Sequence, residues 1–419
     1  MSPSASAAAV DVVVVGAGIV GIAAACHLAE EGRSVLLLDR DEPARGASFG
    51  NAGAFAFSDV MPLASPGIIR KAPRWLLDPL GPLAIPPAYL PRIAPWLLRF
   101  WRASRPDRVT GSMVAQAAMM RLAREAMGAL VARAGLSGMV RSDGALELHD
   151  SEAQWRASLP GWEARAKEGI VFEHLRGEAI AALQPGLSPQ FRFATFVPGW
   201  QTVADPHLFA RGLLAHAEAR GATFRRARVL AVSPTAEGAR IAIDGGESIE
   251  AGRAVIACGA WSRPLAAALG DRVPLETERG YNTTLPPGAF ELRRQLTFPG
   301  HGFVVTPIGG GVRVGGAVEL GGLARPPNYR RSEIMLAKAA RFLPGLRTEG
   351  GTQWMGFRPS LPDSLPVIGP SAAGARILYA FGHGHLGLTQ SAATGRLVAD
   401  LVAGRAPALD IAPFGAQRF

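Results

Sequence analysis

Cysteine is scarce in this sequence, and its two cysteines are far apart. The 419 residues contain only Cys26, within an alanine-rich segment, and Cys258, at the end of an apolar run. Two distant cysteines support neither a disulfide framework nor a zinc cluster, so no metal site is predicted and both thiols are expected to be small buried groups. The scarcity of cysteine fits reducing, cytoplasmic surroundings.

Long apolar runs are also missing. No uninterrupted apolar stretch reaches the roughly 18 residues that a membrane-spanning helix needs, so none is predicted. The first nine residues carry no basic side chain, and the apolar run after them already belongs to a predicted strand. This pattern does not match a secretory signal. Peripheral contact with the cytoplasmic face of a membrane stays open.

Acidic residues are fewer than basic ones. The chain has 34 Asp and Glu against 44 Lys and Arg, a formal net charge of +10. Such an excess suits nucleic acid, an anionic membrane surface or acidic small molecules as partners. No recognisable RNA-binding motif or lysine-rich face is present, so no nucleic-acid partner is expected. The length and the 48% hydrophobic content predict a globular chain of two domains rather than one.

What the sequence does contain is a glycine-rich turn between two apolar runs. Val10 to Val15 predicts a buried strand, Ile22 to Ala29 a helix, and Ser34 to Asp39 a second strand. The turn between the first strand and the helix has the pattern G-x-G-x-x-G. An ordinary strand-to-helix turn is the alternative, but the strand, the helix and the acid together favour a dinucleotide-binding unit.

The three glycines of this turn have separate expected roles. Gly16 allows the tight turn, Gly18 lets the backbone approach a pyrophosphate, and Gly21 lets the helix pack closely on the strand. The helix N-terminus offers free N–H groups and a partial positive charge to phosphate. Asp39 follows Gly21 at the spacing of an acid that binds a ribose hydroxyl. By itself the motif suits NAD as well as FAD.

A loop rich in small residues follows Asp39. It carries Arg40 and Arg45, then Ser48 and the run Asn51-Ala52-Gly53. Small residues let the chain pass close to a flat ligand, and arginine suits phosphate or adenine contacts. This loop is therefore predicted to contact the cofactor.

Residues 60–108 combine proline, aromatic residues and arginine. The ten prolines are expected to prevent long helices. Aromatic residues, among them Trp75, Trp96 and Trp101, alternate with eight basic residues, against only Asp78 and Asp107 as acids. Apolar groups beside arginine are typical of a surface that contacts a membrane. An irregular lid over a site and a partner-binding surface are the alternatives.

The middle of the chain carries weaker signals. Ser112 to Ala134 predicts a helix whose methionines are expected to pack in the protein core. Residues 139–148 predict a hairpin around Ser142-Asp143-Gly144, and Glu152 to Lys167 a charged helix, with irregular structure up to Val203. Asp205-Pro206 is a cap and first-turn proline, which predicts a helix ending near Arg220.

The second half alternates strands and turns. Strands are predicted at 223–224, 229–232, 241–243 and 254–258, the last a buried run typical of the centre of a parallel sheet. Residues 274–314 predict an antiparallel sheet in a separate domain, and a helix is predicted over 331–342. A last helix, Ser391 to Ala403, is expected to follow the glycine turn of Gly382 to Thr389.

Four motifs in order resemble one family. They are the N-terminal G-x-G-x-x-G, the run V-I-A-C-G-A-W-S ending at Ser262, the segment Gly356-Phe357-Arg358-Pro359 with P-V-I-G after it, and the turn G-H-G-H-L-G-L-T ending at Thr389. Together they resemble the D-amino acid oxidase family of FAD enzymes over nearly the whole chain. The residues from Ala47 to Gly53 and the proline-rich segment after them look most like bacterial D-amino acid dehydrogenases and D-hydroxyproline dehydrogenases.

The resemblance implies an α/β fold with two domains. A discontinuous Rossmann-like FAD-binding domain is expected at 1–59, 111–138, 202–270 and 353–419. A substrate domain with an antiparallel sheet, of α+β type, is expected at 139–201 and 271–352. Residues 60–110 stand apart as the lid or membrane-facing segment.

The resemblance also implies FAD rather than NAD, held without a covalent bond, because the chain has no cysteine after Cys258. The pyrophosphate and adenosine are expected at the glycine turn and Asp39, with Val229 on the adenine side. The flavin is expected between the turns around residues 48–53 and 382–389. The expected cofactor residues are Gly16, Gly18, Ile19, Val20, Gly21, Asp39, Arg40, Arg45, Ser48, Asn51, Ala52, Gly53, Val229, Gly259, Trp261, Gly382, His383, Gly384, Leu386, Gly387, Leu388 and Thr389.

Three residues are expected at the substrate. By resemblance, Arg358 is the arginine that holds the substrate carboxylate, and its planar fork suits two parallel hydrogen bonds. Tyr281 is expected on a strand above the substrate as a second donor to that carboxylate, with a core tyrosine as the alternative. His385 is expected to face the flavin or the substrate, with a structural histidine as the alternative.

The expected reaction is oxidative deamination of a D-amino acid, D-proline and cis-4-hydroxy-D-proline included, by hydride transfer from Cα to flavin N5. A quinone is the expected electron acceptor if residues 60–108 face a membrane, and oxygen if they form only a lid. The alternatives are a glycine or sarcosine oxidase, a catalytically idle flavoprotein subunit and an RNA-associated flavin module. The substrate side chain and the oligomeric state are left open by the sequence.

Overall fold

The computed structural model describes residues 10–66, 81 and 83–419, and a parallel sheet lies at its centre. Strand β1 (Val10–Val15) is followed by helix α1 (Ile19–Glu30) and strand β2 (Val35–Asp39), as predicted. The valine-rich β1 favours a strand because β-branched side chains pack well on a pleated surface. It pairs in parallel with β2 and, on its other side, with β13 (Ser248–Ile256).

The remaining helices are spread along the chain. They are α2 (Leu90–Ala103), α3 (Pro106–Arg133), α4 (Glu152–Lys167), α5 (Glu178–Leu183), α6 (Pro206–Glu218), α7 (Ser262–Ala268), α8 (Arg330–Phe342) and α9 (Gly387–Val402).

The remaining strands divide among three sheets. They are β3 (Ala54–Phe55), β4 (Leu83–Ala84), β5 (Val140–Arg141), β6 (Ala145–His149), β7 (Glu173–Arg176), β8 (Phe193–Val197), β9 (Gln201–Val203), β10 (Thr223–Arg226), β11 (Val229–Pro234), β12 (Ala239–Ile243), β14 (Glu276–Leu285), β15 (Gln295–Phe298), β16 (Phe303–Ile308), β17 (Gly311–Glu319), β18 (Thr352–Ser360), β19 (Val367–Ser371) and β20 (Gly374–Phe381).

The central sheet has the strand order β10-β2-β1-β13-β12-β11, with β20 beside β13 and β19 beside β20. Strand β20, from the far end of the chain, pairs in parallel with β13. The β1 side chains alternate between two cores: Val12 and Val14 pack with α1, α3, α6 and α9, and Val13 and Val15 pack on the opposite face. The predicted interruption and resumption of this sheet is confirmed.

The second sheet has the order β18-β14-β17-β16-β15-β6-β8-β7. Its pairings from β18 to β15 are antiparallel, as predicted for residues 274–314. Helix α8 packs on one face, where Met335 and Phe342 join its core. Strand β18 carries Arg358 and pairs with β14, so residues 352–360 lie in this sheet. The expected domain boundary at 353 had assigned them to the FAD-binding domain instead.

The predicted hairpin around Gly144 is wrong. Strand β5 pairs with β9, whereas β6 pairs with β15 and β8, so the two segments enter different sheets. Gly144 has φ +73, and a Cβ there would overlap the ring of Phe196. Glycine at this position therefore lets the chain turn sharply between the two sheets. The segment up to Val203 is also not irregular, because it contains β7, α5, β8 and β9.

The prolines of residues 60–108 do not prevent a long helix. Helix α2 spans 14 residues with Pro91 in its first turn, where no intrahelical N–H bond is lost, and tolerates Pro95 within it. Helix α3 starts at Pro106, earlier than predicted, and α9 starts at Gly387 rather than Ser391. Helices α4 and α6 are confirmed, and Asp205 caps α6 by accepting from the His207 and Leu208 amides.

Part of the basic segment lies outside the described residues. This part includes Arg70, Lys71, Arg74, Trp75 and Asp78. The leader before Val10 also lies outside the described residues. Across the described ranges, no helix is both long and apolar enough to cross a membrane.

Candidate active site

A cavity of about 1210 Å³ lies between the two larger sheets. On one side it is lined by residues at the carboxyl ends of β1, β2, β13 and β20, the usual ligand position in a parallel sheet. On the other side it is lined by strands β14 and β18 of the antiparallel sheet. Its volume exceeds the roughly 300–1,000 Å³ of common ligand pockets, which suits a ligand larger than a typical small molecule.

The glycine turn forms one end of this cavity. Gly16 has φ +112, and a Cβ there would overlap the carbonyl oxygen of Ala257. A Cβ on Gly18 would meet only the Ser48 hydroxyl, at 3.5 Å, so the cavity side of the turn is open to a close ligand. A Cβ on Gly21 would overlap the carbonyl oxygen of Gly16, so this glycine allows the close contact between helix and turn.

The acid at the end of β2 also supports the turn. The Asp39 carboxylate accepts hydrogen bonds from the Ala17 amide (2.8 Å) and the Asp41 amide (3.0 Å). Burial raises the pKa of Asp39 and outweighs the opposing effect of these two amides. Asp39 lines the cavity, with Arg40 beside it and its guanidinium 4.2 Å from the Trp261 ring.

The loop at 48–53 is held against both sheets. The Ser48 hydroxyl accepts from the Ile19 amide at 2.9 Å, which joins the loop to the start of α1. From the antiparallel sheet, Asn282 Nδ2 donates to the Gly50 carbonyl (2.7 Å) and Arg313 Nη1 to the Asn51 carbonyl (2.6 Å). The loop therefore lies between the dinucleotide end and the antiparallel sheet.

Most of the expected cofactor residues line the cavity together. Those that do are Gly16, Gly18, Ile19, Val20, Asp39, Arg40, Arg45, Ser48, Asn51, Ala52, Val229, Gly259, Trp261, His383, Gly384, Gly387 and Leu388.

Five expected cofactor residues are not among the cavity lining, and each has a packing role. Gly21 packs against Gly16, Gly53 against Ile308 and Val203, and Gly382 against Leu361. Leu386 is buried directly before α9. The Thr389 hydroxyl accepts from the Ala56 amide (3.0 Å) and donates to the Ala54 carbonyl (3.2 Å), which ties α9 to β3.

His383 is buried beside the cavity. Its Nε2 lies 2.9 Å from the Thr394 hydroxyl on α9, and the side chain is 3% exposed. Burial lowers the pKa of His383 to about 3, so the ring is neutral at physiological pH. These contacts fit a structural histidine.

Arg358 lies at the other end of the cavity. Its Nη1 donates to the Ala317 carbonyl at 2.9 Å and its Nη2 to the Gly316 carbonyl at 3.4 Å. A Cβ on Gly280 would overlap the guanidinium, so the absence of a side chain there makes room for it. Burial lowers the pKa of Arg358 and the nearby Glu278 carboxylate opposes this effect. Two carbonyls hold the guanidinium while other N–H groups remain for a ligand.

His385 lines the same end of the cavity and is paired with Asp59. Its Nε2 lies 2.9 Å from the Asp59 carboxylate. Burial alone would lower the pKa of His385, but the hydrogen bond and charge of Asp59, with the charge of Glu278, raise it. Burial would likewise raise the pKa of Asp59, and His385 holds it below its usual value. Each member of the pair therefore favours the charged form of the other.

Tyr281 is among the residues that line the cavity, but its hydroxyl bonds to Glu319 and not towards Arg358. Side chains alternate along a strand, so Tyr281 points away from the face of β14 that Glu278 and Gly280 share with Arg358. Its hydroxyl donates to the Glu319 carboxylate and accepts from the Asn328 amide at 3.2 Å. The side chain is 1% exposed in the core beneath α8, so the alternative of a core tyrosine is favoured.

Glu278 and Trp354 are among the cavity residues that were missed in the sequence. Glu278 lies directly across from Arg358 on β14 and is 6% exposed. Trp354 lies against Gly50 and Gly356, where a Cβ would overlap its indole. Alternation was the available signal, because in Glu278-Arg279-Gly280-Tyr281 only one of the carboxylate and the tyrosine can share a face of the strand with Arg358.

The residues present fit FAD. The glycine turn and the start of α1 form a cradle that a Cβ at Gly16 would disturb, and Gly18 leaves room for a pyrophosphate. The turn at Gly384 and Gly387 and the loop from Ser48 to Ala52 line the middle of the cavity, where a flat ring fits between small residues. A dinucleotide bound at the glycine turn would thus extend towards Arg358.

Comparison with known proteins identifies the family of this chain. The family model described as FAD dependent oxidoreductase matches residues 11–401. A D-amino-acid oxidase of Bradyrhizobium diazoefficiens is 36% identical over 97% of this chain and 98% of that protein. A D-amino acid dehydrogenase of Rhizobium johnstonii is 32% identical over 97% of this chain and 99% of that protein.

Solved structures share the fold. Glycine oxidase from Geobacillus kaustophilus superimposes with a TM-score of 0.76 at 24% identity, over 98% of this chain and 99% of that one. L-proline dehydrogenase from P. horikoshii gives 0.74 at 19% identity, over 98% of each chain. At these identities the likeness is one of fold.

Proposed function

This chain belongs to the family of FAD-dependent oxidoreductases, and we propose that it catalyses the oxidative deamination of a D-amino acid. The relatives named D-amino-acid oxidase and D-amino acid dehydrogenase support this reaction. The observation that carries the proposal is the position of Arg358, a half-buried guanidinium that lines the same cavity as the glycine turn, on the side of the antiparallel sheet.

Arg358 would bind the substrate carboxylate. Its guanidinium is already oriented by the Gly316 and Ala317 carbonyls, so little conformational freedom is lost when a carboxylate binds. A planar guanidinium forms two parallel bonds to a carboxylate, which fixes the direction of Cα. FAD, when bound, accepts a hydride at N5 of its ring.

The protein contributes orientation. Trp354 packs against Gly50, and both line the cavity that the arginine and the glycine turn share. The substrate ammonium must lose a proton before hydride can leave Cα, and the product imine is hydrolysed to an oxo acid or, from a D-proline, persists as a cyclic imine. Holding the reacting groups in place is the main catalytic contribution that we assign to the chain.

We propose that FAD is held without a covalent bond. Both cysteines make hydrogen bonds to main-chain carbonyls, Cys26 to Leu213 and Cys258 to Val15. Burial raises the pKa of each thiol to about 12, so neither is a thiolate at neutral pH. Release of all flavin on acid precipitation is the expected result, and flavin that stays with the protein would overturn it.

For the electron acceptor, we propose a quinone reached from a membrane surface. Helix α2 exposes Leu90, Leu98 and Trp101, each more than 40% exposed. Exposed arginines at 92, 99 and 102 flank them, which suits an anionic lipid surface at the cytoplasmic face. Trp96, Leu97, Phe100 and Trp101 of the same helix line the cavity, so an apolar acceptor would enter beside it.

The reaction is tested by anaerobic flavin reduction. D-amino acids, cis-4-hydroxy-D-proline, sarcosine, glycine and L-amino acids are added one at a time, and loss of the oxidised flavin absorbance is followed. Reduction by D-amino acids is expected, and Arg358→Ala should lower the reduction rate about 1,000-fold, or ~4 kcal/mol. Preference for sarcosine or glycine would favour an amine oxidase instead. No reduction by any compound would favour an idle flavoprotein subunit, or an RNA-associated one if RNA binds.

The acceptor is tested by reoxidation and vesicle binding. The reduced enzyme is mixed with a soluble quinone or with oxygen, and faster reoxidation by quinone is expected. Binding to phosphatidylglycerol vesicles should fall in Leu98→Asp but not in Leu208→Asp, a control at an exposed leucine of α6. Equal binding of both variants and the native protein would contradict membrane contact through α2.

A further inference from the structure

Glu278 is a buried carboxylate that faces the cavity. It is 6% exposed and lies on the same face of β14 as Gly280, over which the Arg358 guanidinium sits. Within the part of the chain that the structure describes, the Glu278 side chain makes no hydrogen bond or ion pair. An unpaired carboxylate that is largely removed from water is costly, and a ligand in the cavity can supply the missing partner.

The nearest cation does not pair with Glu278. Arg358 is its direct cross-strand neighbour, with Cβ atoms about 4.5–5.5 Å apart in such a pair. The guanidinium nevertheless bonds to the Gly316 and Ala317 carbonyls. The neighbouring His385 is likewise bound to Asp59. The site thus holds a cation and an anion side by side, each with bonding capacity left.

We propose that Glu278 binds the ammonium group of the substrate, so that Arg358 and Glu278 together recognise the amino acid zwitterion. This inference rests on the proposed function. An α-amino acid carries its carboxylate and its ammonium on the same carbon, and opposite charges on adjacent strands match that spacing. With both groups held, the Cα hydrogen and the side chain have only two possible arrangements, and the shape of the cavity selects one.

Glu278→Gln tests the proposal because glutamine keeps the shape and removes the charge. Binding to the flavin-loaded enzyme is measured by calorimetry with two ligands that cannot be oxidised. One is 2-aminoisobutyrate, which has no Cα hydrogen, and the other is 2-methylpropanoate, which replaces the amino group with hydrogen. The matched control is Glu276→Gln, two residues away on β14, where the carboxylate accepts from the Tyr89 hydroxyl (2.9 Å).

The expected result is a selective loss. Glu278→Gln should weaken 2-aminoisobutyrate binding about 10- to 100-fold, the usual size for one charge-assisted hydrogen bond, and raise KM for D-alanine similarly. Binding of 2-methylpropanoate should stay equal or tighten, because a repulsive carboxylate is gone. Glu276→Gln should change neither ligand.

Three outcomes would overturn the role of Glu278. They are an equal loss for both ligands, no change for either, and a loss confined to D-lysine and D-arginine, which would assign the carboxylate to a basic side chain. Failure of the proposed function looks different, because the native enzyme itself would then not be reduced by any D-amino acid.

Discussion

The two ends of the cavity are built in different ways. At the dinucleotide end, the turn at 16–21 and Asp39 come from one continuous stretch and act mostly through the backbone. The substrate end brings together Asp59, Glu278, Arg358 and His385 from four distant segments, and acts through charged side chains. Changes at the first end should therefore affect folding and flavin content, and changes at the second end should affect binding and turnover.

The largest effect is expected at the dinucleotide end. Gly21→Ala places a Cβ against the Gly16 carbonyl and should destabilise the protein by about 3 kcal/mol, with loss of bound flavin. Thermal unfolding and flavin absorbance measure both effects. In the control Gly128→Ala, on an exposed turn of α3 with open space, stability should stay equal or rise. Full flavin content in Gly21→Ala would contradict the expected role of the dinucleotide end in holding the flavin.

Arg358→Lys is the matching change at the substrate end. Lysine keeps the charge but loses the planar fork, so kcat/KM for a D-amino acid should fall about 100-fold, ~2.7 kcal/mol. Flavin content and melting temperature should stay close to those of the native protein. Arg293→Lys, at an exposed arginine paired with Glu291, is the control. A loss of flavin along with activity would show that the two ends are not separable.

Tyr281→Phe distinguishes the two faces of β14. It removes a hydroxyl that donates to the buried Glu319 carboxylate, so the free energy of unfolding should fall by about 1.5 kcal/mol. Because the ring points away from Arg358, KM and kcat should change less than about twofold. A large rise in KM, with stability unchanged, would instead support the original expectation of a carboxylate donor.

The smallest effects, about 1 kcal/mol, concern two histidines whose contributions depend on pH with opposite signs. His385 has a raised pKa, so its pairing with Asp59 stabilises below pH 6.5 and is lost as pH rises through that raised value. His383 has a pKa lowered to about 3, so its contribution is present above pH 6.5 and is lost as pH falls.

Melting temperatures of the two variants at pH 5.5 and 9 check these signs. His385→Gln should cost more stability at pH 5.5, and His383→Gln should cost more at pH 9. The same pH dependence in both variants would show that one of the two charge states is wrong.

Local pattern was enough for one part of the molecule. The strand, turn and helix from Val10 to Glu30, the helix at 152–167 and the cap at Asp205 depend on neighbours in sequence, and all were predicted. The hairpin around Gly144 failed because pairing between strands depends on distant partners. Helix α2 was not predicted, because the effect of a proline depends on its position, and Pro91 lies in the first turn, where no helix hydrogen bond is lost.

The sequence by itself determined the dinucleotide turn, because glycine spacing, a buried strand and a following helix specify a backbone shape locally. It also indicated Arg358 through a resemblance of ordered motifs. Only the tertiary structure decided which side of β14 faces the cavity, and so placed Glu278 rather than Tyr281 beside Arg358. The reason is physical: alternation places neighbouring residues of a strand on opposite faces, and the packing of α8 decides which face is buried in the core.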